Sequence, residues 1–288
     1  MKHHDITGKT KIVGVFGYPI SHSLSPAMHN AAFKYLNLDY IYIAFEVKPS
    51  DLKAVVKSIP ALNISGINLT IPHKEAVVPY MDKLTREAEL IGAVNTIEVQ
   101  NSGLIGHNTD ALGFIRSLRE FGVSIKGKSV LLLGAGGASK GVGFALVLNK
   151  AKEICIANRT LEKAKVLASN LRKKANFSKV SVIPLEHKHL KSVLKNTDIL
   201  INATSSGMKS KDPLLVPSDS IIKKIIVYDL IYNPPETKLI RLAKKKGCLT
   251  INGESMLVHQ GAIAFEIWTK RKAPVEIMKK ALRKALPR

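Results

Sequence analysis

Hydrophobic positions alternate along this chain between two rhythms. Short apolar runs of strand length give way to stretches whose apolar residues recur three and four apart. In the first part, strands are predicted at 11–16, Tyr40–Val47, Ile64–Ile71, Val94–Gln100 and Leu104–Asn108. Helices are predicted at Pro26–Leu36, near Ser50–Ser58, at Lys74–Tyr80 and at Ala111–Phe121, and Asn101-Ser102-Gly103 reads as a hairpin turn. From residue 128 to 252 the rhythm is cleaner. Strands Ser129–Leu133, Glu153–Ala157, Val180–Pro184, Asp198–Asn202, Ile225–Asp229 and Leu249–Asn252 are joined by connections that include helices Lys140–Asn149 and Leu161–Lys174. Near-continuous apolar strands in βα alternation predict a parallel sheet covered on both faces. The expected fold class is therefore α/β, with two lobes meeting between Gly106 and Lys126. The last helices, from about Ser255, fit either lobe.

Composition narrows the class without naming a function. The 288 residues are 45% hydrophobic and 23% charged, which excludes a disordered or collagen-like chain. No run of about 18 apolar residues occurs, so no membrane span is expected. The opening Met1–Asp5 is polar and no small-residue cleavage site follows, so no signal peptide is expected. Two cysteines, Cys155 and Cys248, form neither a disulfide framework nor a zinc site and fit a cytoplasmic setting. The charge stands out: 44 Lys and Arg against 22 Asp and Glu, a net of +22. The basic residues are spread in short clusters with no tail or aromatic-interleaved stripe. That pattern fits attraction of anionic small molecules better than a nucleic-acid partner.

The sharpest local signal is Val130–Leu133 running into Gly134-Ala135-Gly136-Gly137-Ala138-Ser139. An apolar strand entering Gly-x-Gly and then a helix suits a pyrophosphate laid on a helix N-terminus. Ser139 replaces the third glycine. The next strand ends in Asn158-Arg159-Thr160 and lacks the acidic residue that would hold a ribose hydroxyl. Arg159 and Lys163 there suit a 2′-phosphate, hence NADP, although a surface arginine beside a helix capped by Thr160 reads the same way. Asn202–Gly207 is a small, polar strand end that a flat ring could approach.

The first lobe carries polar pairs. Ser23 and Ser25 point the same way in extended chain, and Pro26 marks a helix start with Ser25 as its cap. The pair could receive a carboxylate or serve only as a cap. Asn68 and Thr70 share a strand face, and Pro72 can start a helix with Lys74 in its first turn. Lys74 is either a proton-exchanging group or one more surface lysine. Asp110 reads as the cap of its helix and as a candidate partner for chemistry.

Together, and in this order, these segments resemble the shikimate dehydrogenase family over nearly the whole chain. The resemblance rests on Ser23–Pro26, Asn68–Lys74, Gly92–Thr96, Gly106–Asp110, Gly134–Ser139, Asn158–Thr160, Asn202–Gly207, Asp229–Pro234 and Gly253–Gly261. It implies two domains, with substrate bound by 1–109 and 253–288, NADP bound by a Rossmann-type domain at 110–252, and the active site in the cleft between them. It implies Lys74 and Asp110 as catalytic residues. Ser23, Ser25, Asn68, Thr70, Asn95, Tyr232 and Gln260 would bind substrate. Gly134, Ala135, Gly136, Gly137, Ala138, Asn158, Arg159, Thr160, Lys163, Thr204, Ser205, Leu230, Gly253 and Met256 would bind NADP. The implied reaction is reversible reduction of 3-dehydroshikimate to shikimate, with no metal, no nucleic acid or membrane partner, and a homodimer. The alternatives are an NAD-using quinate/shikimate dehydrogenase and a non-catalytic ligand-binding relative of the same fold.

Overall fold

A computed structural model describes residues 6–286. The opening residues 1–5, on which the expected absence of a leader partly rests, lie outside the described residues. The chain divides into two compact units, one running to Gly113 and resuming at Val258, the other Phe114–Leu257.

The first unit is a mixed sheet of six strands, in the order β2-β1-β3-β5-β6-β4. Its strands are β1 (Lys11–Gly17), β2 (Tyr40–Glu46), β3 (Ile64–Leu69), β4 (Lys83–Leu84), β5 (Thr96–Gln100) and β6 (Gly103–His107). β1 lies parallel to β2, with Lys11 opposite Tyr40, and parallel to β3, with Phe16 opposite Leu69. β5 and β6 form the expected antiparallel hairpin, which closes at Gln100 and Gly103 and opens at Thr96 and His107. The helices are α1 (Ser25–Tyr35), α2 (Leu52–Ser58), α3 (His73–Ala76) and α4 (Arg86–Ile91), with α5 (Thr109–Glu120) beginning here. A core of Phe16, Val56, Ile59, Ile67, Leu69, Val94 and Ile97 fills one face of the sheet.

The second unit is the parallel sheet that its apolar runs predict. Its strands are β7 (Ser129–Leu133), β8 (Glu153–Asn158), β9 (Val180–Pro184), β10 (Ile199–Asn202), β11 (Ile226–Asp229) and β12 (Thr250–Ile251). They lie in the order β12-β11-β10-β7-β8-β9, every pair parallel. Its helices are α6 (Gly137–Leu148), α7 (Leu161–Lys174), α8 (His187–Leu194) and α9 (Lys238–Lys245). The chain builds outward from β7 in one direction and then, from β10, in the other. The β7/β10 junction is thus the switch point where such sheets open a crevice at their carboxyl ends. α10 (Gly253–Thr269) and α11 (Val275–Ala285) close the chain, and α11 packs on α1.

Several local expectations are corrected. Ser25 is the first residue of α1 and not its cap; Leu24 holds the cap position and makes no side-chain capping bond. Asn108 takes the place assigned to Asp110: its Oδ1 accepts from Ala111 N at 3.4 Å, and Asp110 sits within the first turn. β3 ends at Leu69, so Thr70 lies past the strand, its N–H donating to Phe16 O at 3.0 Å. The helix expected over Lys74–Tyr80 is the single turn of α3 followed by a 3₁₀ turn at Val78–Tyr80. Pro79 has no N–H to carry the α-helical bonding onward. Pro72 sits at the cap of α3.

Candidate active site

In the first unit, Lys74 Nζ donates to Asp110 Oδ2 at 2.6 Å, the side chains 26% and 14% exposed. Backbone bonds hold this pair in register. Val94 N donates to Lys74 O at 2.8 Å, tying α3 to the segment before β5. Asn95 Oδ1 accepts from Thr109 N at 2.7 Å, and its Nδ2 donates to Thr109 Oγ1 at 3.0 Å. Asn108 Nδ2 donates to Ala93 O at 3.0 Å. The open end of the β5–β6 hairpin thus stitches the start of α5, which carries Asp110, to the segment that holds Lys74. His73 is buried beside it, its Nε2 donating to Val47 O at 2.8 Å.

Around this pair lies a polar cluster in which most hydrogen-bonding capacity is used. Buried Asn68 donates to Asn95 O at 3.1 Å and to Thr96 Oγ1 at 2.9 Å, and accepts from the Tyr42 hydroxyl at 2.7 Å. Ser23 Oγ accepts from Ser25 N at 3.4 Å. Thr70 and Gln260 also belong to this unit, both half-buried. Behind the cluster, β5 and β6 carry Glu98 and His107, joined at 2.9 Å, with Lys270 at 2.7 Å on the other Glu98 oxygen. Burial pushes the Glu98 carboxyl up, but the bonds from Lys270, Gln100 and His107 outweigh it and leave it below the ordinary range.

In the second unit, the loop after β7 fits a dinucleotide. Gly134 has φ +105°, and a Cβ there would stand 2.9 Å from Ala203 O, so only glycine lets β7 and β10 diverge at this point. Gly136 and Gly137 border open space, where a phosphate group can approach the backbone. Ser139 Oγ, fully buried at the start of α6, has no partner among the described residues. At the end of β8, Asn158 Nδ2 donates to Thr160 O at 2.7 Å, and Arg159 and Lys163 beyond it are exposed. Thr160 holds the cap position of α7 without a side-chain capping bond.

One buried carboxyl shapes the remaining loops. Asp229, at the end of β11, accepts from Asn202 Nδ2 at 3.0 Å, Ile231 N at 3.1 Å and Thr237 Oγ1 at 2.6 Å. Burial raises it above the usual carboxylate range, against those hydrogen bonds. Asn202 Oδ1 in turn accepts from Thr204 N and Oγ1, which sets the Thr204–Ser205 turn. Leu230 N donates to Asn202 O at 2.9 Å, and Gly253 packs so closely on Leu230 O that a side chain there would collide with it. Met256 is buried, and Tyr232 is half-buried, its phenol pushed up by burial. Tyr232 belongs to this second unit, whereas the other expected substrate residues belong to the first.

Three positions that hydrogen-bond to the candidate site residues or to their motifs have no role assigned from the sequence. Thr109 stands inside a motif of the resemblance, which implies no role for it. Asp229 opens another such motif, Asp229–Pro234, and is likewise given no role of its own. Tyr42 is one aromatic among several in β2 and gives no signal.

A parallel sheet with a glycine turn at its switch point and basic residues after the next strand defines a dinucleotide-binding α/β unit. It is joined in one chain to a mixed-sheet unit bearing a lysine–carboxylate pair. Residues 15–97 match the family described as shikimate dehydrogenase substrate binding domain. Residues 117–215 match shikimate / quinate 5-dehydrogenase, and 253–283 match the shikimate 5'-dehydrogenase C-terminal domain. The chain is 46% identical over 280 residues to the shikimate dehydrogenase (NADP(+)) of Methanopyrus kandleri, covering 96% of each. A crystal structure of shikimate dehydrogenase in complex with NADP+ superimposes with a TM-score of 0.93 at 42% identity, covering 99% of this chain and 98% of that one. The Listeria monocytogenes shikimate 5-dehydrogenase, in complex with shikimate and NAD, gives 0.92 at 40%, covering 98% and 99%. The chain belongs to the shikimate dehydrogenase family.

Proposed function

We propose that this protein catalyses the reversible NADPH-dependent reduction of 3-dehydroshikimate to shikimate. The observation that carries the reading is the Lys74–Asp110 pair at 2.6 Å, locked to Asn95 through Thr109. NADPH, when bound, supplies the hydride. Lys74 delivers the proton that the substrate oxygen needs as it becomes a hydroxyl, and takes it back in the reverse direction. Asp110 holds the Lys74 ammonium in place. Ser23 and Ser25 hold the carboxylate, while Asn68, Thr70, Asn95 and Gln260 orient ring hydroxyls, and Tyr232 is a further substrate-binding residue. Fixing the reacting groups supplies much of the acceleration.

The glycine loop Gly134, Ala135, Gly136, Gly137 and Ala138 would hold the pyrophosphate, with the unpartnered Ser139 hydroxyl beside it. Arg159, Lys163, Asn158 and Thr160 would hold the 2′-phosphate, Arg159 through its planar fork. Thr204, Ser205, Leu230, Gly253 and Met256 would border the nicotinamide. On this reading the enzyme is cytoplasmic, which its two free, buried cysteines support, and a homodimer, which sedimentation tests. No helix among the described residues is long and apolar enough to cross a membrane.

Initial rates of cofactor reduction, with shikimate or quinate and with NADP or NAD, test the whole reading. Rapid oxidation of shikimate with NADP is expected. Preference for quinate or NAD would transfer the chain to the NAD-using branch, and inactivity with every pair would make it a binding protein.

A further inference from the structure

Tyr42 lies on β2 wholly inside the first unit, 2% exposed, and no step of the proposed chemistry uses it. Its ring cannot swing, because it stacks on His29 at 4.3 Å with the planes 8° apart and meets Trp268 at 6.1 Å. Its hydroxyl meets one residue of the proposed substrate set, Asn68, at 2.7 Å.

Counting donors gives these contacts a direction. Both Asn68 N–H groups are used, on Asn95 O and on Thr96 Oγ1. A backbone carbonyl only accepts, so the amide nitrogen must face Asn95 and the amide oxygen must face Tyr42. Tyr42 therefore donates to Asn68. The result is a directed chain from Tyr42 to Asn68 and on to Asn95 O. Asn68 is left with an oxygen lone pair to offer and no N–H. Ser23 Oγ accepts from Ser25 N, so its own proton remains to give.

We propose that Tyr42 is a positioning residue for substrate: its hydroxyl fixes Asn68 as a hydrogen-bond acceptor. This rests on the reading of Asn68 as a substrate contact. An acceptor held in that state favours a ligand hydroxyl over a carbonyl or ether at the position it meets.

Tyr42→Phe keeps the ring and its stacking and removes only the hydroxyl. It is expected to raise KM and Kd for shikimate about tenfold, the loss of one buried hydrogen bond, with kcat within about twofold. The Kd for NADP is expected to stay unchanged. The emission of Trp268, the single tryptophan, reports whether the core has moved. In an Asn68→Ala background the Tyr42→Phe effect on shikimate Kd should vanish. An unchanged shikimate Kd, or the same tenfold loss with and without Asn68, overturns the proposal. Urea unfolding without ligand gives a second test that does not depend on substrate binding: Tyr42→Phe and Asn68→Ala should be non-additive, since the two residues share one hydrogen bond. Additive effects overturn the coupling. Failure of the wild type to bind shikimate would remove the functional reading, while the unfolding cycle would still decide whether the chain exists.

Discussion

His29 makes the first unit acid-sensitive by a calculable amount. It lies on α1, fully buried among Phe33, Tyr42, Phe265 and Trp268, and neither ring nitrogen has a partner among the described residues. Burial alone lowers its pKa from 6.5 to about 3. The folded protein therefore keeps this ring neutral at pH values where the unfolded chain protonates it. The sign follows: the contribution is complete above about pH 6.5 and is lost as pH falls toward about 3, because the unfolded state binds the extra proton. Over the whole window the drop is about 5 kcal/mol, from roughly 3.5 pKa units at about 1.4 kcal/mol each. At about pH 5 some 1.5 units have been crossed, so about 2 kcal/mol is lost. His29→Phe removes the titration and keeps the ring stack. The extra carbon has room on the Nε2 side, where Gly261 has no side chain and a Cβ would stand 3.3 Å away. Urea unfolding of both proteins at about pH 7 and about pH 5 gives the comparison. The wild type should lose about 2 kcal/mol more than the variant between the two conditions. Equal losses would refute the reasoning, whatever the variant's stability at neutral pH.

Lys74→Ala should reduce kcat by about 10²-fold or more with a small change in shikimate Kd, as measured by steady-state rates and direct binding. Undiminished turnover would remove Lys74 from proton transfer. Arg159→Ala should raise KM for NADP and leave weak NAD use nearly unchanged; an equal loss with both would make Arg159 structural. Gly66→Ala should destabilise the protein by about 1–3 kcal/mol in denaturant unfolding. The added methyl would collide with the Trp268 indole nitrogen, which donates to Ile97 O at 3.0 Å. A neutral effect would show that Trp268 is free to shift.

Legibility of the chain tracks how local each signal is. The glycine turn after β7 can be read because strand, glycines and helix follow one another directly. The β5–β6 hairpin can be read because its turn residues separate two short runs. α4 goes unread although its ends are marked: Thr85 accepts from Ala88 N at 3.4 Å, and Gly92 closes it at φ +71°. Its six residues are too few for a helical period to show. Ser-Pro implies a cap at Ser25, yet Leu24 takes that position, while Tyr42 reaches Asn68, twenty-six positions on, by a contact that only the fold creates. Asp229 is invisible as an organiser for the same reason. Its partners Asn202 and Thr237 lie on separate elements, and no spacing rule joins them. Lys74 and Asp110 are each placed by motif, but their 2.6 Å contact depends on Val94 and Asn95 bridging two elements.

The β5–β6 hairpin has a practical corollary. Asn95 and Asn108–Asp110 flank its open end, while Asn101 and Ser102, both exposed, form its closed end. Strands rise about 3.3 Å per residue, so five-residue strands put roughly 15 Å between turn and active groups. Residues inserted between Asn101 and Ser102 would lengthen a solvent loop without altering the register that sets Lys74 and Asp110. That tip is therefore an attachment point for a fluorophore, an affinity tag or a surface tether on a working enzyme.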